Sequence, residues 1–121
     1  MRNERDTLRQ IFDAALEAVA PDKALLKHVQ LDEDGQLYAG GRRWQLAGRR
    51  LHILGAGKGV APMARAVEML LGDTISTGLV VTKYGHTLPL SRIEQAEAGH
   101  PVPDDNGVSA TSRLLALAHV C

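Results

Sequence analysis

The stretch Leu51-His52-Ile53-Leu54-Gly55-Ala56-Gly57-Lys58-Gly59 constrains this chain more than any other. Four residues, three of them large aliphatics, run straight into a glycine-rich loop carrying one lysine. Val60-Ala61-Pro62-Met63-Ala64-Arg65-Ala66-Val67-Glu68-Met69-Leu70-Leu71 follows with helical patterning. The order predicts a buried strand near 51–54, a loop, and a helix near 61–71. First-turn N–H groups of a helix lack intrahelical acceptors, and the macrodipole places about half a positive charge there. Glycine permits positive φ and close backbone approach to a ligand. Gly55, Ala56, Gly57, Lys58 and Gly59 therefore read as a cradle for a phosphate or carboxylate, held by the N–H groups of Gly57 to Val60 and by the Lys58 charge.

Upstream, Asn3 can cap a helix on which Leu8, Ile11, Phe12, Ala15, Leu16 and Val19 form one apolar stripe, expected to serve packing. Pro21 suits the first turn of a second helix ending about Lys27. Val29–Leu31, Gln36–Ala39 and Arg42–Leu46, separated by Asp34-Gly35 and Gly40-Gly41, predict a small β-meander. Asp32, Glu33 and Asp34 lack the spacing and terminal Glu of a calcium loop and read as a solvated turn. Arg49 and Arg50 also read as solvated.

Downstream, Gly78–Thr82 predicts a second buried strand ending in Lys83-Tyr84-Gly85-His86. Arg92–Glu97 reads as a third, nearer an edge. Gly99-His100-Pro101-Val102-Pro103-Asp104 follows, and Asp104 can cap a last helix. Strands alternating with helices imply a parallel sheet with helices on its faces, so the fold class is α/β. Ligands of such sheets sit outside the carboxyl ends of the strands. The loops at Gly55–Gly59, Lys83–His86 and Gly99–Asp104 all follow strands and are expected along one sheet edge. Their candidate ligand-binding residues are Lys58, Lys83, His86, His100 and Asp104, together with the glycine loop. His28, His52 and His119 read as structural or surface residues.

A length of 121 residues allows one domain at most, with helices and meander in 1–48 and βαβ units in 49–121. Zero formal net charge gives no electrostatic case for nucleic acid or an anionic membrane. No apolar run is long enough to span a bilayer, and Met1–Asp6 lacks a signal-peptide core. Cys121 is the one cysteine, which excludes an intrachain disulfide and a cysteine metal cluster. A cytoplasmic protein is expected. Known phosphate motifs fail. Val60 stands where the dinucleotide fingerprint needs its third glycine, and Thr82-Lys83 replaces the ribose-binding acid. His52 and Gly59 break the Walker A pattern.

Four ordered motifs carry a resemblance. Gly55-Ala56-Gly57-Lys58, Ala61-Pro62-Met63-Ala64, Val80-Val81-Thr82-Lys83-Tyr84-Gly85-His86 and Glu97-Ala98-Gly99-His100-Pro101-Val102-Pro103-Asp104 resemble the N-terminal part of the class II glycerate kinases. These are the glycerate 2-kinases whose second domain is called MOFRL, often labelled hydroxypyruvate reductases. The resemblance implies a Rossmann-like α/β domain, followed in the family by a second α/β domain with the active site in the cleft between. It implies ATP- and Mg²⁺-dependent phosphorylation of D-glycerate to 2-phosphoglycerate. Lys58 takes the place of a proposed active-site lysine, and the GHPVPD loop points to His100 and Asp104.

Family chains are several times longer. The resemblance thus makes 1–121 a partial N-terminal domain, lacking the second domain and inactive alone. Lys58 and the glycine backbone could hold either the glycerate carboxylate or phosphoryl oxygens. Asp104 and Asp105 are the acids near the site, and neither is assigned to a metal. An NAD(P)-dependent hydroxypyruvate reductase and a non-catalytic module stand as alternatives. Leu114, Leu115 and Leu117 are expected to be exposed and to drive self-association.

Overall fold

A computed structural model describes residues 3–120. Met1, Arg2 and Cys121, which entered the signal-peptide and cysteine arguments, lie outside the described residues. Helix α1 (Glu4–Ala18) starts on Asn3, whose side chain accepts from Arg5 N–H. Helix α2 (Pro21–His28) has proline in its first turn, where a missing N–H costs nothing. Strands β1 (Val29–Leu31), β2 (Gln36–Ala39) and β3 (Arg42–Gln45) form the antiparallel meander. Asp32 does more than solvate its turn. Its carboxylate accepts from Asp34 N–H at 3.0 Å, Gln36 N–H at 2.8 Å and Tyr38 O–H at 3.2 Å.

Strand β4 (Leu51–Ala56), helix α3 (Val60–Leu71), strand β5 (Ile75–Lys83), strand β6 (Ile93–Ala98) and helix α4 (Asp105–His119) complete the chain. The second sheet is parallel, in the order β4-β5-β6. Both strands next to the glycine loop are longer than expected. β4 runs through Gly55 and Ala56, so the loop proper is only Gly57–Gly59. β5 begins at Ile75, directly after a 3₁₀ turn at Gly72–Thr74.

Alternation along the strands separates the two faces. Val80 and Ile93 cluster with Ala64 and Leu71 of α3, and Leu31 and Leu37 of the meander join the same core. On the other face, Glu94 pairs with Arg113 of α4 at 2.6 Å, and Gly107 of α4 comes close to Ala98. Thus α3 and α4 flank opposite faces.

Three expectations are corrected. β4 is not a buried strand: none of its residues is buried and Leu54 is 40% exposed. It is an edge strand, and α4 lies over β5 and β6 instead. β5, at the centre of the sheet, holds the buried run Gly78-Leu79-Val80. The α1 stripe does not pack either. Leu8, Ile11, Phe12, Leu16 and Val19 are exposed, because α1 leans mainly on α2. In α4, Leu114 and Leu117 are half-buried on the face that carries buried Ala110, and Leu115 is exposed. Among the described residues no helix is long and apolar enough to cross a membrane.

Candidate functional site

The three parallel strands end at one edge, and each contributes three consecutive residues to a cleft of about 130 Å³ there. Ala56, Gly57 and Lys58 come from the end of β4. Val81, Thr82 and Lys83 come from β5, and Ala98, Gly99 and His100 from β6. Gly57 has φ 129°, a conformation that side-chain-bearing residues rarely adopt. Its N–H donates to Val81 O at 2.9 Å, anchoring the turn to β5. Gly55 serves a different purpose: a Cβ there would lie 2.8 Å from Val60 Cγ2, so its absence lets α3 settle on the strand.

The expected anion donors are narrowed by this geometry. Gly57 N–H is taken by Val81, and Val60 N–H donates to Gly57 O at 3.2 Å. Among the described residues, the N–H groups of Lys58 and Gly59 have no acceptor.

Of the residues singled out from sequence, Ala56, Gly57, Lys58, Lys83 and His100 line the cleft. Gly55, Gly59, His86 and Asp104 lie outside this lining. Gly59 faces Pro21 of α2. His86 sits in a turn, its N–H donating to Lys83 O at 3.1 Å. Asp104 caps α4 and fastens the loops behind the cleft. Its carboxylate accepts from Tyr84 O–H at 2.6 Å, Gly99 N–H at 3.1 Å and Gly107 N–H at 3.0 Å. Those donors, the tyrosine first, hold the Asp104 carboxyl below its ordinary range. The same hydrogen bond raises the Tyr84 phenol. Asn106 Nδ2 donates to the phenolic oxygen Oη of Tyr84 at 2.8 Å, and Glu97 accepts from Gly85 N–H at 2.7 Å. A Cβ on Gly99 would overlap the Val102 carbonyl oxygen, so this loop requires glycine.

Sequence reasoning assigned no role to Thr82, Tyr84, Glu97 or Asn106. Thr82 had a legible signal, a hydroxyl ending an otherwise apolar strand. The other three act through contacts distant in sequence. A second, apolar cleft of about 340 Å³ lies along β4, lined by Leu25, Leu54, Met63 and Val67 among others.

A magnesium ion bound by protein takes carboxylate oxygens. The cleft lining carries no carboxylate, and among the described residues no group of three His, Cys, Asp or Glu could hold a metal. The residues here do not by themselves fit the ion.

The fold defines a parallel α/β protein, flanked by helices on both faces, with its cleft at the carboxyl edge of the sheet. The chain belongs to the DUF4147 family, described as a domain of unknown function and matched over residues 7–121, the N-terminal domain of the glycerate 2-kinase family. It is 33% identical to the glycerate 2-kinase of Pyrococcus horikoshii, over 89% of this chain and 24% of the relative. It is 38% identical to the D-glycerate 2-kinase of Thermotoga maritima, over 89% of this chain and 23% of the relative. A relative from Agrobacterium vitis bearing a hydroxypyruvate reductase name is 38% identical over 93% of this chain and 22% of its own length. A solved Pyrococcus horikoshii structure superposes with a TM-score of 0.82 at 29% identity, covering 100% of this chain and 27% of that one. The Thermotoga maritima glycerate kinase structure matches at 0.65 and 36% identity, over 89% of this chain and 23% of that one. The chain thus spans about a quarter of the length of these relatives or less.

Proposed function

We propose that this chain forms part of a glycerate 2-kinase, which transfers the γ-phosphoryl group of ATP to D-glycerate and gives 2-phosphoglycerate. One observation carries the reading: in a chain whose relatives bear that name, Lys58, Lys83 and His100 meet in one cleft at the carboxyl edge of a parallel sheet. Phosphoryl transfer asks a protein chiefly for positioning and charge neutralisation. Two lysines and the free N–H groups of the glycine turn supply both for an anionic group. In this reading Lys58 is the catalytic cation. Gly57 shapes the turn, and Lys83 and His100 bind substrate. Gly55, Gly59 and Asp104 hold the surrounding backbone, and His86 lies in the turn that follows Lys83. Mg²⁺ would arrive with ATP, its remaining ligands supplied from outside this cleft.

Kinases also close a second wall over the nucleotide and exclude water. The 121 residues present one wall, and the 121-residue chain alone is expected to show no turnover. The test is a chimera in which residues 1–121 replace the aligned segment of the Thermotoga maritima relative. ATP-dependent formation of 2-phosphoglycerate supports the reading. NADH oxidation with hydroxypyruvate and no phosphorylated product would favour the reductase that the Agrobacterium vitis relative's name describes.

A further inference from the structure

Thr82 is 2% exposed, and its Oγ1 has no hydrogen-bond partner in the structure. A buried hydroxyl without a partner loses its water contacts and gains nothing in return, which is uncommon in folded proteins. It lies on β5 within the lining of the cleft, one residue before Lys83 and one residue after Val81, whose carbonyl anchors the glycine turn. By alternation it shares the α3 face with Val80, below the start of that helix. An orphaned donor, two lysines and the unpaired N–H group of Lys58 therefore belong to residues that line one small space. Every one of these groups can donate to an oxyanion.

Size selects the oxyanion. A water occupies about 30 Å³ in the liquid, and pockets for drug-sized or cofactor-sized ligands run to about 300–1,000 Å³. A cleft of about 130 Å³ matches a few-atom acid, and a nucleotide would extend well beyond it.

We infer that Thr82 is a substrate-binding residue of this cleft, its hydroxyl donating to the carboxylate of a small hydroxy acid whose charge is met by Lys58 and Lys83. This assignment rests on the proposed kinase reading for the identity of the acid, D-glycerate, and names which substrate the cleft takes.

The experiment titrates the 121-residue chain with D-glycerate, inorganic phosphate and ATP in separate arms, following backbone amide shifts. Wild type, Thr82→Val and Thr82→Ser are compared, with the thermal midpoint of each. The expected result is saturable glycerate shifts at Gly57, Lys58, Thr82 and Gly99. Affinity should fall at least tenfold in Thr82→Val and stay within about threefold in Thr82→Ser. The thermal midpoint of Thr82→Val should be unchanged or raised, since the orphaned hydroxyl is gone, whereas a hydroxyl with a structural role would lower it. Equal glycerate affinity in Thr82→Val, or no glycerate response in these amides, overturns the inference. A Thr82-dependent response to phosphate or ATP but not to glycerate overturns it as well. The kinase reading fails separately: a chimera that binds glycerate through Thr82 yet forms no 2-phosphoglycerate leaves this inference standing. A chimera whose turnover and KM ignore Thr82→Val leaves the kinase and removes the inference.

Discussion

Lys58 stands exposed at the tip of the glycine turn, with no ion-pair partner among the described residues. Removing it costs the fold little, since substitutions at such positions stay within about ±0.5 kcal/mol. A charge placed against a transferring group is worth far more. In the active chimera, Lys58→Ala should lower kcat/KM by about 10²–10³, the scale of a lost oxyanion donor, at an unchanged thermal midpoint. Asp104 behaves oppositely. Its folded-state carboxyl titrates below the unfolded value because Tyr84, Gly99 and Gly107 donate to it. The stability it contributes is whole above the ordinary carboxylate range and is lost as pH falls through the lower folded value. Asp104→Asn should therefore melt below wild type at neutral pH. The gap should narrow on acidification, as read by thermal melts across the acid range.

Helix α3 is held to the sheet at both ends by single residues. At its start, Gly55 leaves room for Val60. A methyl group there would lie 2.8 Å from Val60 Cγ2, closer than carbon atoms pack, so Gly55→Ala should cost about 1–3 kcal/mol by overpacking, measured as a shift in denaturant midpoint. Toward its end, Glu68 accepts backbone N–H groups of Ser91, Arg92 and Ile93, at 2.8, 2.5 and 2.7 Å. Burial alone would raise this carboxyl, but the three donors prevail and lower it. Glu68 thus pins the start of β6 to α3 from the side. Arg92 adds an ion pair to Asp73, just beyond the helix. The loop from Tyr84 to Arg92 is fastened further by Gln95, whose side chain both accepts from Leu88 N–H and donates to Leu88 O.

Across the whole molecule, the apolar surface is unevenly covered. The parallel sheet is sealed by α3 and α4 over β5, yet α1 presents Leu8, Ile11, Phe12, Leu16 and Val19 to solvent. Contiguous exposed apolar stripes favour association. The isolated 121-residue chain should therefore elute larger than a monomer by sizing with light scattering, and Ile11→Ser with Phe12→Ser should return it toward monomer. A clean monomer in the unsubstituted chain would remove this expectation.

Local chemistry was enough for much of this. Asn3, Pro21 and Asp104 start helices because their side chains satisfy, or spare, first-turn N–H groups. Asp34-Gly35 and Gly40-Gly41 turn the meander because those glycines take positive φ. The order of strand, glycine turn and helix led directly to Lys58. The rest depended on which segments meet. Period and hydropathy do not say that β4 is an edge strand, because the coverage of a strand is a property of its neighbours. Tyr84 looks like part of an ordinary polar loop until its hydroxyl reaches Asp104 across twenty positions. Thr82 is one threonine in a β-strand by sequence. Only the packing of β4, β5 and β6 buries its hydroxyl without a partner at the head of a cleft.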